Sequence, residues 1–165
     1  MEIPAVMDRV RAYGCKLVEL TGGEPLLQKG IHALIEALLA EEYDVLIETS
    51  GERDIGMLDS RVIRIIDLKC PDSGEVERNR WANIEHLNMR DEVKFVIASR
   101  RDYEWARGVI AEYRLEARVN AILMSPAFGL IEPVVLANWI LEDRLSARMQ
   151  LQTHKYIWAP DQRGV

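Results

Sequence analysis

Short β-rich stretches of valine, isoleucine and leucine recur along the chain, and segments of helical periodicity separate most of them. In each repeat a turn stands between the apolar stretch and the segment that follows it. Six stretches are predicted as strands: residues 16–21, 43–49, 62–69, 91–97, 119–125 and 148–154. A repeated order of strand, turn and helix predicts an α/β fold with a parallel sheet built of βα units.

The segments between the strands carry the predicted helices. Apolar residues at three- and four-residue steps predict helices over residues 31–40, 103–113 and 133–141. The opening residues also predict a helix, because Pro4 stands near its start and Gly14 follows its end. The polar stretch 71–87 is a weaker candidate for a further helix. No low-complexity linker interrupts the chain, so we expect residues 1–165 to form a single domain.

Composition excludes several classes of protein. No apolar run approaches the ~20 residues of a membrane span, so we expect no membrane association and a cytoplasmic protein. The net charge of −6 argues against direct binding of nucleic acid, since such affinity comes from neutralised phosphates. Cys15 and Cys70 stand far apart without metal-type spacing, which indicates buried, reduced thiols.

Most of the predicted strands end in a cluster of polar residues. These clusters are TGGEP at 21–25, ETSG at 48–51, DLKCP at 67–71, SP at 125–126 and QTHK at 152–155. In a barrel or part-barrel of parallel strands, the carboxyl ends converge on the face where ligands bind. The sequence therefore predicts a ligand site at this rim of the sheet.

The TGGEP turn is suited to holding a ligand against the backbone. Gly22 and Gly23 allow a sharp turn and a close approach, because no Cβ stands in the way. Glu24 supplies a carboxylate, which is a natural partner for an ammonium group, and Pro25 fixes the direction in which the chain leaves. Two glycines alone are equally typical of an ordinary tight turn before a helix.

The string TGGEPLL at residues 21–27 resembles the one that radical S-adenosylmethionine enzymes carry after their second barrel strand. The strings ETSG, DLKCP, KFVI and above all LQTHKYIW at 151–158 resemble one branch, the 7-carboxy-7-deazaguanine synthases. The resemblance covers nearly the whole chain. It implies a lyase that converts 6-carboxy-tetrahydropterin into a 7-deazaguanine base by a radical ring contraction, for queuosine, a tRNA modification, and related nucleosides.

The resemblance also implies roles for individual residues. S-adenosyl-L-methionine would meet Gly22, Gly23 and Glu24 with its methionine end, Ser50 and Lys69 with its ribose or carboxylate, and Ser125 with its adenine. The pterin substrate would meet Thr21, Glu48, Gln152, His154 and Lys155. Many relatives carry Ser-Pro-Lys where this chain has Asp-Leu-Lys at 67–69.

Less specific interpretations of two of these residues stay open. Glu48 could cap the helix that follows, and His154 could be a core histidine with its hydrogen bonds satisfied. His32 and His86 are expected to be structural or surface residues, because His32 stands in a helical pattern and His86 in a polar stretch.

The family further implies a [4Fe-4S] cluster, held by three cysteines in a loop after the first strand, and Mg²⁺ beside it. This chain has two cysteines and no such set. We therefore expect an N-terminally truncated, partial (β/α)6 TIM-like barrel without the first strand and the cluster loop. We expect no metal ligands or catalytic residues in this chain and no turnover by the chain alone. The exposed edge at residues 16–21 predicts a homodimer or other self-association.

Two alternatives belong to other functional classes. One is a different radical enzyme, such as an activase that forms a glycyl radical on a partner protein. The string QTHKY at 152–156 argues against it, as does the lack of a large basic or apolar docking surface. The other is a non-catalytic module that kept the S-adenosylmethionine site and lost the cluster.

Overall fold

The computed structural model describes residues 2–162, which contain one open sheet of six parallel strands. The strands lie side by side in the order in which they follow along the chain. Their bounds are β1 Leu17–Leu20, β2 Asp44–Thr49, β3 Ile63–Leu68, β4 Glu92–Ile97, β5 Ala121–Pro126 and β6 Arg148–Met149. Sequential parallel order is the arrangement of a part-barrel, so the predicted α/β class and partial barrel are confirmed.

Five α-helices lie within the described residues. They are α1 Ile3–Tyr13, α2 Ile31–Ala40, α3 Arg100–Tyr113, α4 Pro133–Glu142 and α5 His154–Ile157. None of them is long and apolar enough to cross a lipid bilayer. Helix α3 begins before its predicted start because the Ser99 hydroxyl accepts a hydrogen bond from the backbone N–H of Asp102 (3.3 Å), which caps the first turn.

One face of the sheet is covered by helices and loops and forms the hydrophobic core. Every second side chain of β2 and β4 points to it, because successive residues of a strand project to opposite faces. Val45, Ile47 and Phe95 are at most 1% exposed there. They belong to the same core cluster as Leu38 of α2 and Tyr103 of α3. The amphipathic pattern of the sequence thus produces a dry interior on one side only.

The opposite face, which we call the open face, carries the intervening side chains of the same strands. Glu19, Glu48, Asp67 and Lys94 occupy it, one each from β1, β2, β3 and β4. These four are partly or largely exposed, whereas their strand neighbours on the covered face are mostly buried. The open face leads to the carboxyl-end rim, where the candidate site lies.

The sixth strand is shorter than predicted. The pattern predicts a strand over residues 148–154, whereas β6 has two residues. The last pairing to β5 is a hydrogen bond from the backbone N–H of Gln150 to the carbonyl of Met124 (2.9 Å). Strand β5 then ends at Pro126, which has no N–H with which to continue the ladder. The chain therefore leaves the sheet and brings Gln152 across the rim in a loop.

Two connections depart from a regular βα repeat. The stretch 71–87 forms three 3-10 helices, Pro71–Ser73, Val76–Arg78 and Trp81–His86, in place of an α-helix. The connection from β2 to β3 contains no helix at all, and Ile55 and Leu58 of this loop are buried against the sheet instead. Two apolar side chains thus cover the sheet where a helix would otherwise pack.

Strand β1 has one unpaired side, as the sequence predicts. Leu17 is 57% exposed, and Tyr13 beside it is 86% exposed. With Cys15 and Val18 they line an apolar groove of about 310 Å³. Within residues 2–162 no strand pairs with this side. The exposed edge is confirmed, and self-association through it stays a prediction.

Candidate active site

Three adjoining cavities open at the carboxyl-end rim. The floor cavity, of about 510 Å³, is lined by Glu19, Thr21, Gly22, Glu48, Asp67, Lys94, Gln152 and His154, among others. The loop cavity, of about 310 Å³, is lined by Gly23, Glu24, Ser50, Lys69 and Arg78, among others. A junction cavity of about 160 Å³ shares lining residues with both of them. The structure therefore places two ligand-sized spaces side by side.

The Glu24 carboxylate ties the TGGEP turn to the end of β2. One oxygen accepts hydrogen bonds from the backbone N–H of Leu26 (3.0 Å) and the hydroxyl of Thr49 (2.8 Å). The other accepts from the backbone N–H (2.8 Å) and hydroxyl (2.6 Å) of Ser50. Four donors occupy the lone-pair sites that a carboxylate offers. In this structure Glu24 therefore holds the turn in place, and its contact with a ligand ammonium stays a prediction.

These hydrogen bonds also set the charge of Glu24. Burial by itself would raise the pKa of Glu24, since it disfavours the ionised form. The hydrogen bonds from Ser50, Thr49 and Leu26 outweigh burial, and the pKa lies below its usual value. Glu24 is therefore an anion at neutral pH.

The two glycines of the turn leave open space for a ligand. Gly22 has a φ of +94° and Gly23 a φ of +59°, and a Cβ at either position would meet no atom within 4 Å. Other residues adopt such backbone angles at a cost, so glycine permits the turn. The bare backbone faces the junction cavity, as expected for a turn that approaches a cofactor closely.

Two ion pairs organise the open face beneath the cavities. The Lys94 ammonium lies 2.6 Å from Glu48 Oε1, and the Lys69 ammonium lies 2.6 Å from Asp67 Oδ2. Asp67 and Lys94 are register partners on β3 and β4, yet each is paired elsewhere. These four charged side chains of the cavity floor thus form two ion pairs.

Glu19 is the carboxylate on this floor that has no ion pair among the described residues. Partial burial raises the pKa of Glu19 above its usual value, and the neighbouring carboxylate of Glu48 raises it further. Lys94 acts in the opposite direction. The floor cavity therefore carries an excess of carboxylate, which suits a ligand that presents N–H donors.

Sequence reasoning did not identify Glu19 and Lys94 as lining residues, and it included Asp67 only as the first residue of the DLKCP cluster. Glu19 and Lys94 lie inside predicted strands and outside the polar clusters at the rim. The available signal was alternation, because a charged residue between two core residues of a strand must face the other side of the sheet.

Two polar atoms near the floor cavity are buried without a hydrogen-bond partner in the described part of the chain. They are Oδ1 of Asp67 and Oε1 of Gln152. A buried acceptor left without a donor costs about 1–3 kcal/mol. Both residues line the floor cavity, so a donor-rich ligand bound there is the natural means of relieving this cost.

Every predicted site residue except Ser125 and Lys155 lines at least one of the three cavities. The buried hydroxyl of Ser125 donates to the carbonyl of Gln150 (2.6 Å), which joins β5 to the chain after β6. The Lys155 ammonium lies 5.7 Å from the centre of the Phe128 ring. Roles for these two residues in ligand binding stay predictions.

A further cavity of about 580 Å³ lies away from the rim. Arg107, Ala111 and Arg114 line it, at the end of α3, together with Leu145. It contains none of the predicted site residues and no strand terminus, so its size alone does not make it a candidate for the chemistry.

The described residues do not fit an iron-sulfur cluster. Among residues 2–162 no three His, Cys, Asp or Glu side chains form a group that could hold a metal ion. Cys15 is exposed before β1, so its predicted burial is wrong, whereas Cys70 is buried after the end of β3 as predicted. Burial, and next the carboxylate of Asp102, raise the pKa of the Cys70 thiol well above its usual range. Clusters need thiolates in a close set, which these two cysteines do not form.

Comparison with curated proteins gives a consistent result. No protein-family model matches the chain. It is 47% identical over 177 residues to the 7-carboxy-7-deazaguanine synthase of Koribacter versatilis, covering 99% of this chain and 77% of that protein. It is 48% identical over 168 residues to the protein of the same name from Chlorobaculum tepidum, covering 100% of this chain and 76% of that protein.

Comparison with solved structures supports the fold. The crystal structure of Streptococcus suis SuiB bound to S-adenosylmethionine superposes with a TM-score of 0.55 at 12% sequence identity. The match covers 82% of this chain, which spans only 39% of that one. At this identity the likeness concerns the arrangement of strands and helices alone.

Proposed function

The chain belongs to the 7-carboxy-7-deazaguanine synthase family, and from this premise we propose that its rim cavities bind S-adenosyl-L-methionine and 6-carboxy-tetrahydropterin. The reaction is the ring contraction that yields 7-carboxy-7-deazaguanine. The observation that carries the proposal is the junction cavity, which Thr21, Gly22, Glu48 and Asp67 share with the floor cavity. Two ligands in adjoining spaces can touch, as group transfer or atom abstraction between them requires.

The loop and junction cavities suit the cofactor. The backbone of Gly22 and Gly23 borders the junction cavity without a side chain in the way. Ser50 offers a hydroxyl, and the Lys69 ammonium offers a cation to a carboxylate. S-adenosyl-L-methionine, when bound, supplies the radical chemistry that begins the ring contraction. The chain's own part is to hold the cofactor beside the substrate.

The floor cavity suits a flat heterocycle that is rich in N–H groups. Glu48 is an acceptor that Lys94 holds in place, and Gln152 has a buried amide oxygen without a partner among the described residues. His154 lines the same cavity and can face the carboxylate of the substrate. The oxygens of Glu48 and Gln152 can accept hydrogen bonds from the N–H groups of the pterin, and the imidazole ring of His154 can face its carboxylate.

No step is assigned to an iron-sulfur cluster, because the residues described offer no set of thiolates to hold one. We propose that the 165-residue chain by itself binds both small molecules and does not turn the substrate over. The partners in this proposal are small molecules. Self-association, localisation in the cytoplasm and delivery of the product to tRNA modification remain part of the hypothesis.

The direct test is binding by two probes. Calorimetry measures S-adenosyl-L-methionine, and fluorescence titration measures pterin-6-carboxylate, the oxidised form of the substrate. We expect Lys69→Met to weaken the cofactor and Glu48→Gln to weaken the pterin, each about tenfold, as for one lost charge-assisted hydrogen bond. Glu112→Gln is the matched control, since Glu112 is exposed on α3 and lines none of the three rim cavities.

Each outcome separates the candidates. Failure of the unaltered chain to bind either probe contradicts the proposal. Binding of the cofactor without the pterin supports a non-catalytic S-adenosylmethionine-binding module instead.

A further inference from the structure

The pairing of Lys94 with Glu48 spans three strands. Lys94 stands on β4 and Glu48 on β2, with β3 between them. Neighbouring strands lie about 4.8 Å apart, so the two backbones are separated by roughly 10 Å. The side chains nevertheless meet at 2.6 Å. Both must extend over β3, so the contact fixes the direction of each.

The nearer carboxylate is not the one that Lys94 contacts. Asp67 is the register partner of Lys94, directly beside it on β3. Asp67 is taken by Lys69, at 2.6 Å, and Lys94 reaches past it. The Lys94 side chain is only 12% exposed, which is unusual for a lysine without a structural or functional role.

Glu48 has a second carboxylate for a neighbour. Glu19 of β1 lines the same cavity, and the neighbouring carboxylate of Glu48 raises the pKa of Glu19. Lys94 is the cation that opposes this effect. The other charged groups near this floor are the Asp67–Lys69 pair of β3, His154 of α5, and Glu92 of β4 with its partner Arg148 of β6. Glu92 also raises the pKa of Glu19.

We propose that Lys94 is a positioning residue for substrate recognition: through its ion pair it holds the Glu48 carboxylate directed across the floor cavity, beside Glu19. In that state Glu48 accepts hydrogen bonds from neighbouring N–H groups of the heterocycle. This inference rests on the proposed function, because it concerns the pterin and not the cofactor. Lys94 itself needs no contact with the reacting atoms.

The test is the pH dependence of pterin-6-carboxylate binding, measured by fluorescence titration between pH ~4 and pH ~8, a range that spans the ordinary and raised pKa values of a glutamate. Lys94→Met keeps the length of the side chain and removes the charge. We expect the affinity at neutral pH to fall about tenfold, and the pH at which half of it is lost to rise, because Lys94 is the cation that lowers the pKa of Glu19 beside Glu48. The titration of the pterin is common to all variants and cancels in the comparison.

Two companion variants isolate the charge. Lys94→Arg restores the cation, and we expect it to recover most of the affinity and the original midpoint. Glu19→Gln removes the competing carboxylate, and we expect it to lower the midpoint whether or not Lys94 is altered. Because Glu19 is exposed, this variant tests the idea even if Lys94→Met fails to fold. Lys16→Met, at the opposite end of β1, matches the change in net charge.

The outcomes are distinct. Two results overturn the positioning role while leaving the proposed function intact. One is a Lys94→Met variant that binds pterin-6-carboxylate more weakly but loses its affinity at the same pH as the unaltered chain. The other is a Lys94→Arg variant that recovers none of the affinity. Absence of pterin binding by the unaltered chain overturns the proposed function and this inference with it. A shifted midpoint that Lys94→Arg restores supports the inference.

Discussion

The two faces of the central sheet are built from the same strands but are stabilised by different forces. In β4, Val93 and Phe95 are fully buried on the covered face, while Lys94 and Val96 between and after them face the floor cavity. One face excludes water and gains from close packing. The other keeps charges within hydrogen-bonding distance of a ligand. Neighbouring residues of one strand therefore have different roles: one packs in the core and stabilises the fold, and the next lines the ligand site.

This contrast between the two faces predicts which substitutions the protein tolerates. On the covered face the interaction is with many neighbours at once, so the loss of volume is costly. On the open face an exposed charge such as that of Arg148 has one partner and access to water, so its contribution to stability is small. Function can be altered there with little effect on folding.

The largest effect is expected from Phe95→Ala on the covered face. Phe95 is fully buried and packs edge-to-face against Trp105, with ring centres 6.3 Å apart. The substitution should lower the free energy of unfolding by about 3–5 kcal/mol, because it removes apolar contacts and leaves a cavity. Urea denaturation measures it. Val96→Ala on the open face is the control, and equal losses for the two variants would contradict the contrast between the faces.

A smaller effect is expected at Gly51, where the two faces meet. Gly51 follows Ser50 of the loop cavity, and its φ is +72°. A Cβ there would lie 2.7 Å from Cγ2 of Ile66, a core residue of β3. Gly51→Ala should cost roughly 1–3 kcal/mol of stability, from the clash together with the strained backbone.

The matched control for this effect is Gly74→Ala. Gly74 has a φ of +73°, but a Cβ there meets nothing within 4 Å. It should lose only the backbone part, about 1 kcal/mol. Thermal denaturation of both variants, evaluated at one temperature, gives the difference. A similar loss of stability for both variants would show that the Ile66 side chain moves aside without a cost in free energy.

Glu24→Gln should cost about 1 kcal/mol, since an amide cannot accept all four hydrogen bonds. The pKa of Glu24 is lowered in the folded protein. Its contribution to stability is therefore present above the unfolded pKa of ~4.3 and is lost as the pH falls through the folded value. The difference in denaturant midpoint between the unaltered chain and Glu24→Gln should be largest at neutral pH and should disappear in acid. A gap that is independent of pH would contradict the ionised clamp.

The smallest effect is expected at Arg148, the partner of Glu92 on the open face. Their closest atoms are 3.5 Å apart, and Arg148 is 62% exposed. Arg148→Ala should change the stability by less than about 1 kcal/mol, and salt should reduce the difference further. Urea denaturation at low and high salt measures it. A large loss would show that charges on the open face also hold the fold together.

Much of this architecture was available from local patterns. The strands follow from runs of β-branched and aliphatic residues, and helix α1 follows from Pro4 and Gly14 at its ends. The rim site follows from polar clusters after successive strands, because parallel strands bring those ends together. Burial of His154 in the core is excluded, since this residue is exposed at the floor cavity.

Other features depended on contacts between distant segments. The pattern could not show that Ser125 turns its hydroxyl to Gln150, or that β6 stops early, because both depend on how β5 ends. Nor could it show that Glu24 is held by Thr49, the last residue of β2, and by Ser50, which follows it.

The sequence by itself determined the period of each element, the order of the strands and the residues gathered at one rim, because these follow from local propensity and from the geometry of parallel strands. Only the tertiary structure decided which charge pairs with which. Lys94 could have paired with Asp67 beside it and instead reaches Glu48 two strands away. Such choices depend on register, twist and competition among neighbouring side chains, and these exist only once the sheet has formed.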